Sequence, residues 1–134
     1  MARVLIDSSV WIAYYRPGGS PGVRDAVQAA LAEDRAVTTG LIVVEVLQGA
    51  RTEADFTLLE TDFSALPWLQ PTPRAVAQAA RWGFELARRG TPIPAIDLVI
   101  AAVAVAYDCE LWHGDAHFER LKPLAPLVMR RPAS

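Results

Sequence analysis

A short continuous apolar run near the amino terminus, Val4–Ile6, ends directly on an acidic residue, Asp7. Three strand-favouring residues without polar alternation are typical of a strand buried on both faces of a parallel sheet. In open α/β sheets, ligands bind outside the carboxyl ends of the strands, so Asp7 is predicted to lie in such a site. The alternative interpretation is that Asp7 only caps the helix that follows, although Ser8 or Ser9 could also cap it.

Helical and strand-like patterns alternate along the rest of the chain, which predicts an α/β fold with a central parallel sheet of four to five strands and helices on both faces. A chain of 134 residues matches one domain, and we expect a single domain over residues 1–134. A loop rich in Gly and Pro is predicted over 16–22. Helices are predicted over 10–15, 23–33, 41–47, 52–65, 73–89, 94–106 and 117–121, and strands over 36–39 and 110–112, with weaker strands over 68–70 and 126–129.

Two of these helices have an apolar face whose side chains are expected to enter the core. For the helix over 52–65 the face consists of Phe56, Leu59, Phe63 and the nearby Leu66. For the helix over 73–89 it consists of Val76, Ala77, Ala80, Phe84 and Ala87, with Arg81, Arg88 and Arg89 on the solvated side. The terminal Arg130 and Arg131 are interpreted as a solvated tail.

Composition limits the classes of partner and location. The net charge of −2 rules out nucleic-acid binding through overall charge, so such binding would need a local basic rim or a bound cation. The longest apolar run, over 98–107, falls well short of the ~20 residues that span a bilayer. Cys109 is the only cysteine and the amino terminus does not resemble a signal peptide, so we expect a cytoplasmic protein.

Single acidic residues interrupt two apolar segments. Glu45 is the only charge in the segment over 41–47, where it either faces solvent or has a partner or site that offsets its burial. Asp97 follows Pro94 in the first turn of the apolar helix, where the helix dipole alone could explain it. Its position after the proline, at an otherwise buried helix end, favours a functional role.

Asp115 follows the strand over 110–112, so it is expected at the same sheet edge as Asp7. A site shared by Asp7, Glu45, Asp97 and Asp115 would suit a hard divalent cation such as Mg²⁺, which prefers oxygen ligands. His113 and His117 lie four residues apart, but the intervening turn breaks the single helical face that a paired metal site needs.

Together these segments resemble the acidic motifs of PIN-domain ribonucleases, in particular VapC toxins of bacterial toxin–antitoxin modules. The resemblance rests on Asp7 with Ser9 and on the segments over 41–51, 93–102 and 111–118, and it covers nearly the whole chain. It implies that Asp7, Glu45, Asp97 and Asp115 are catalytic metal ligands and that Ser9 is a supporting hydroxyl. One departure is His117, because this position often holds a second acid in the family.

The resemblance also implies an activity and partners. The expected function is a Mg²⁺-dependent endoribonuclease, with Mn²⁺ as a possible alternative ion, that acts as the toxin of a type II toxin–antitoxin module. The expected partners are a structured RNA substrate such as tRNA, a cognate VapB-type antitoxin and a second copy of the chain, with no membrane. Part of an aromatic stripe formed by Trp11, Tyr14 and Tyr15 is expected to contact the antitoxin and the rest to join the core.

Two other interpretations remain open at this stage. The chain could be a receiver-like signalling module in which a strand-end Asp accepts a phosphoryl group. Such a module would be expected to carry paired acids before its acceptor strand and a Lys near its last strand, and the only lysine is Lys122. The chain could also be a degenerate PIN fold that only binds a partner, although the complete set of four acids argues against this.

Overall fold

The computed structural model describes residues 2–132, so the predicted domain limits at residues 1 and 134 lie outside the described part. Within that part, four strands form one sheet: β1 (Val4–Ile6), β2 (Ala36–Val37), β3 (Glu110–Trp112) and β4 (Met129–Arg130). They lie in the order β2-β1-β3-β4, and each neighbouring pair is parallel. The predicted α/β class with a parallel sheet is therefore confirmed.

The connections between strands are helical. The helices are α1 (Ser8–Tyr15), α2 (Pro21–Ala32), α3 (Gly40–Leu47), α4 (Glu53–Ser64), α5 (Pro73–Arg88) and α6 (Ala95–Ala106), followed by a 3₁₀ helix (Ala116–Leu121). Among residues 2–132, no helix combines the length and the apolar character needed to cross a membrane.

The sheet order places a crevice between β1 and β3. The chain leaves β1 towards β2 on one side, whereas β3 and β4 lie on the other side. A parallel sheet whose order reverses in this way opens a crevice at the carboxyl ends of the two strands that flank the reversal. Asp7 follows β1 and the loop over 113–115 follows β3, so both stand at this crevice.

The predicted weak strand over 68–70 is reduced to a single parallel bridge. Trp68 pairs with Thr38, and the Leu69 amide donates to the Thr38 carbonyl over 2.7 Å. This bridge extends the sheet beside β2. The weak strand predicted over 126–129 lies later, as β4, so Arg130 belongs to the sheet and not to a tail, although it is exposed as predicted.

Two helix starts differ from the prediction. The side chain of Asp7 caps α1, so neither Ser8 nor Ser9 is the cap, and both lie inside the helix. Helix α2 begins at Pro21, inside the predicted loop, because Ser20 caps it and a proline fits the first turn.

The predicted apolar face of α5 was wrong. The buried residues are Ala75, Ala79, Trp82 and Leu86, whereas Val76 and Phe84 are 48% and 52% exposed. The apolar residues of α5 extend beyond the buried strip to Val76, Ala80 and Phe84, so helical spacing alone does not select which of them enter the core. Packing against α6 selects the face next to Gly83, where an added Cβ would approach the Leu98 side chain to 2.8 Å. In α4, Leu59 and Phe63 are buried as predicted, but Phe56 is 38% exposed.

Candidate functional site

Asp7 stands where β1 ends, and 3% of it is exposed. Its amide donates to the Trp112 carbonyl of β3 over 2.9 Å. Its carboxylate Oδ2 accepts hydrogen bonds from the amide and the hydroxyl of Ser9, at 3.1 and 2.5 Å. The other oxygen, Oδ1, is buried and has no hydrogen-bond partner among residues 2–132. Asp7 therefore caps α1 with one oxygen and leaves the other available to a ligand.

Ser9 joins the two strand ends. Its hydroxyl donates to Asp7 and accepts from the amide of Gly114, 2.9 Å away on the loop after β3. The Ser9 side chain thus holds the Asp7 carboxylate, at the end of β1, against the backbone of the loop that follows β3. This geometry suits the supporting role expected of Ser9.

Glu45 faces the same region from α3, which packs against α1. The hydroxyl of Ser8 donates to Glu45 Oε1 over 3.1 Å. Burial raises the pKa of Glu45 above its ordinary value, the charges of Asp7 and Asp97 raise it further, and the Ser8 hydrogen bond opposes both. Glu45 is therefore partly buried with a single hydroxyl partner, and it does not simply face solvent.

Asp97 lies in the first turn of α6, and its side chain is 13% exposed. Burial raises its pKa, and the charges of Asp7 and Asp115 add to this, while a hydrogen bond with His117 acts in the opposite direction. A carboxylate whose pKa is raised by neighbouring negative charges is expected where carboxylates converge. The structure therefore brings Asp97 together with the two strand-end acids.

Asp115 and His117 complete the cluster. Asp115 caps the 3₁₀ helix, with its Oδ1 accepting from the His117 amide at 2.9 Å. The His117 ring nitrogen Nδ1 lies 3.2 Å from Asp97 Oδ2 and 3.3 Å from Asp115 Oδ1. One ligand atom from each of Asp97, Asp115 and His117 lies within 4.8 Å of the others. His113 points elsewhere, with its Nε2 3.3 Å from Glu119, so the two histidines do not form a pair.

Sequence reasoning missed the contributions of three residues. Ser8 bonds Glu45, and His117 contacts two of the acids. His113 is fully buried, and its Nδ1 accepts the Asp115 amide over 3.3 Å, so it positions that loop. The departure from the family pattern at position 117 was a usable signal for His117. Ser8 and His113 carried no comparable signal, because their contacts depend on which loops meet.

The donor set fits a divalent cation. Carboxylate oxygens predominate, one imidazole nitrogen joins them, and Asp7 contributes an oxygen without a partner among the described residues. Arg131 lies at the rim, where its guanidinium donates to the Gly114 carbonyl over 3.2 Å. The site therefore combines converging acids with a neighbouring cation. Arg131 is exposed, as predicted, but its guanidinium contacts the loop after β3.

Away from this site, a groove between α1 and α4 contains the aromatic stripe. Trp11 is 2% exposed and packs edge-on against Phe63, with the ring centroids 5.1 Å apart. Tyr14 and Tyr15 are half-buried, and the Tyr15 hydroxyl donates to Asp62 over 2.9 Å. The groove is lined by Trp11, Tyr14, Tyr15, Leu31, Phe63 and Leu66, together with residues 61, 62 and 65 of α4 and its end.

Comparison with known proteins identifies the family. The PIN domain model matches residues 4–123. The chain is 33% identical over 120 residues to VapC ribonuclease Mb1587 of Mycobacterium bovis and to Ribonuclease VapC11 of Mycobacterium tuberculosis, covering 87% of this chain and 89% of each relative.

Solved structures share the fold at low sequence identity. VapBC2 from Rickettsia felis, bound to a DNA fragment from its promoter, has a TM-score of 0.79 at 16% identity, covering 97% of this chain and 98% of that one. VapC20 from Mycobacterium tuberculosis, described as a sarcin–ricin loop cleaving toxin, has a TM-score of 0.75 at 15% identity, covering 96% and 99%. The chain therefore belongs to the PIN domain family and, within it, to the VapC group.

Proposed function

We propose that this chain is a divalent-metal-dependent endoribonuclease and the toxin of a type II toxin–antitoxin module. The observation that carries the proposal is the grouping of Asp97 with Asp115 at the crevice, with Asp7 and Glu45 near enough for their charges to interact with Asp97, in a chain of the VapC group. The two relatives that are 33% identical are named ribonucleases, and the match covers 89% of each of them.

Each residue has a role in this proposal. Asp7, Asp97 and Asp115, with Glu45, would hold Mg²⁺ or Mn²⁺. When bound, such an ion activates water and stabilises the charge that develops on the scissile phosphate. Ser9 holds Asp7 against the Gly114 loop, and Ser8 orients Glu45. Arg131 places a positive charge beside the acids, where it attracts the RNA phosphates towards a chain that is acidic overall.

The substrate and partners extend the same proposal. The substrate is a structured RNA, with tRNA as the first candidate, and the inhibitor is a VapB-type antitoxin. Several structures with this fold are VapBC complexes, among them those from Rickettsia felis and Salmonella typhimurium. The groove between α1 and α4 offers the apolar and aromatic surface that such a partner needs. A homodimer, a single domain over residues 1–134 and a cytoplasmic location belong to the same proposal.

The two alternatives are less well supported. A receiver-like module needs a lysine near its acidic residues. The ammonium group of Lys122 instead lies 2.6 Å from the carboxylate of Glu119. Glu119 lies outside the acidic cluster, 3.3 Å from His113. A PIN fold that only binds a partner gives no reason for a buried Asp7 oxygen without a partner among residues 2–132 beside three further acids.

Cleavage assays test the proposal directly. Tag-free protein is incubated with total tRNA and with ribosomal RNA, with Mg²⁺, Mn²⁺ or chelator, and the ends of the products are identified. We expect cleavage only with metal, leaving a 5′-phosphate and a 3′-hydroxyl. A 2′,3′-cyclic phosphate would contradict the proposal, because it would mean that the RNA 2′-hydroxyl was the nucleophile. Asp25→Asn, which changes an exposed acid of α2, is the matched control for substitutions in the site.

A further inference from the structure

We propose that His117 is a nitrogen ligand of the metal site and that it makes the site prefer Mn²⁺, or a similar transition-metal ion, over Mg²⁺. This inference rests on the proposed function, since it concerns the same site. It assigns a role to the residue at which the chain departs from the family pattern.

The position of the ring supports the assignment. Nδ1 of His117 lies 3.2 Å from Asp97 Oδ2 and 3.3 Å from Asp115 Oδ1. In an octahedral shell, adjacent ligand atoms lie about 1.4 times the metal–ligand distance apart, so ligands ~2.1 Å from the ion are separated by ~3 Å. The nitrogen is therefore spaced from each of the two oxygens as neighbouring ligands of one small divalent ion are, and the three atoms lie within 4.8 Å of one another.

The backbone holds the ring in this place. The His117 amide donates to Asp115 Oδ1 over 2.9 Å, which joins the two residues in the first turn of the 3₁₀ helix. The side chains of Asp97, Asp115 and His117 are 13%, 38% and 36% exposed, so the cluster is open enough for an ion to enter.

A second observation points independently to a cation. Asp7 is 3% exposed, and its Oδ1 has no hydrogen-bond partner within the described chain. A buried carboxylate oxygen without a partner is costly unless a ligand satisfies it. The Ser9 hydroxyl donates to the Asp7 carboxylate and accepts from the Gly114 amide, so Asp7 is held beside the loop that carries Asp115 and adjoins the same cluster.

The identity of the donor determines the preference for the ion. Mg²⁺ takes oxygen ligands and keeps several waters, so an imidazole in place of a carboxylate removes a suitable ligand and a negative charge. First-row transition ions accept imidazole nitrogen readily. His117 should therefore weaken Mg²⁺ binding more than Mn²⁺ binding.

A different arrangement would reverse the effect of mutation. If His117 acted only as a positive charge between Asp97 and Asp115, it would compete with the metal ion. Replacing it with a neutral residue would then strengthen ion binding, whereas loss of a ligand weakens it. Binding measurements therefore separate the two roles without reference to activity.

The experiment uses the full-length chain without a histidine tag, so that His113 and His117 are its only histidines. Calorimetry measures Mn²⁺ and Mg²⁺ affinity for the parent, His117→Gln and His117→Asp. Pulsed electron paramagnetic resonance of bound Mn²⁺ detects coupling to ¹⁴N. We expect ¹⁴N coupling in the parent that is lost in both variants. His117→Gln should bind Mn²⁺ at least about tenfold more weakly, and His117→Asp should lower the Mn²⁺/Mg²⁺ affinity ratio about tenfold.

Glu119→Gln is the matched control, because it alters the same 3₁₀ helix at a side chain that contacts Lys122 and His113. It should keep the ¹⁴N coupling. Mn²⁺ binding without ¹⁴N coupling, or tighter binding by His117→Gln, would overturn the assignment while leaving metal-dependent cleavage intact. A parent chain that binds neither ion would overturn the metal-dependent function and this assignment together. Circular dichroism confirms that each variant is folded before its binding is compared.

Discussion

At the scale of single residues, the acids of the site oppose one another in the metal-free protein. Burial and neighbouring negative charges raise the pKa of both Asp97 and Glu45. At pH values between the unfolded and the folded pKa of these two carboxylates, the native state binds more protons than the unfolded state. The free energy of unfolding therefore falls as the pH rises from about 4 through the raised values, and the loss persists at neutral pH.

We predict that Asp97→Asn abolishes RNA cleavage and leaves the metal-free protein equally or more stable at neutral pH, because one of the repelling charges is removed. The variant should also lose most of the stabilisation that added Mg²⁺ gives the parent through binding to the native state. Thermal melts of both proteins, with chelator and with Mg²⁺, measure these effects.

The same melts distinguish a purely structural Asp97. If this residue only stabilises the start of α6 through the helix dipole, its substitution should cost about 0.3–1 kcal/mol. A destabilised metal-free variant with an unchanged response to Mg²⁺ would reject the shared site.

Ser9 gives a second prediction at this scale. Ser9→Ala removes the hydroxyl that donates to Asp7 and accepts from Gly114. We expect a loss of about 1–3 kcal/mol in the free energy of unfolding, since one of the two hydrogen bonds involves a charged group. The cleavage rate should also fall, because Asp7 is held less firmly. Ser9→Thr keeps the hydroxyl and serves as the control, and unchanged cleavage by Ser9→Ala would refute the supporting role.

At the scale of elements, helix α1 contributes aromatic side chains both to the core and to the groove between α1 and α4. Trp11 is buried, whereas Tyr14 and Tyr15 are half-buried at the groove. The Tyr15 hydroxyl donates to Asp62 of α4, so the two helices are joined at this point. The expectation that the aromatic stripe is partly core is confirmed for Trp11.

We predict that Tyr14→Ala and Tyr15→Ala each weaken binding of the cognate antitoxin, because each removes aromatic surface from the groove. Calorimetric titration with the antitoxin measures the change. Leu58→Ala is the control, since Leu58 belongs to α4 and is 56% exposed but does not line the groove. If both tyrosine variants bind normally and only their melting temperatures fall, the stripe is core alone.

At the scale of the whole molecule, α5 leaves an apolar row uncovered. Val76 and Phe84 are 48% and 52% exposed, and Arg81 and Arg88 each lie 5.4 Å from the Phe84 ring centroid. Aromatic and arginine side chains on an apolar strip have the composition of an interface centre. This face of α5 is therefore suited to the proposed contact with a second copy of the chain.

We predict that Phe84→Glu shifts the protein from dimer to monomer, because it places a charge in the apolar row. Sedimentation equilibrium over a range of concentrations measures the shift. Val128→Glu, at another residue that is 66% exposed, should leave the dimer unchanged. A monomeric parent would contradict the homodimer, and a dimeric Phe84→Glu would place the contact elsewhere.

Sequence patterns alone predict the sheet class and the four acids proposed for the site. Short apolar strands that end on Asp7 and Asp115 predict a parallel sheet with both acids at one edge, because the carboxyl ends of parallel strands meet there. Single charges in apolar segments, such as Glu45 and Asp97, are informative because burying a charge is costly without a partner. In the structure, the charge of Asp7 raises the pKa of both Glu45 and Asp97, and the charge of Asp115 raises the pKa of Asp97.

Which of several apolar or polar surfaces meet depends on long-range packing, so it becomes visible only in the folded chain. The apolar residues of α5 form more than one strip, and its packing on α6 at Gly83 selected the strip with Ala79, Trp82 and Leu86. His117 and Arg131 reach the site because the loop after β3 and the end of β4 lie beside it. These contacts join residues distant in sequence, and local patterns of hydrophobicity or charge carry no information about them.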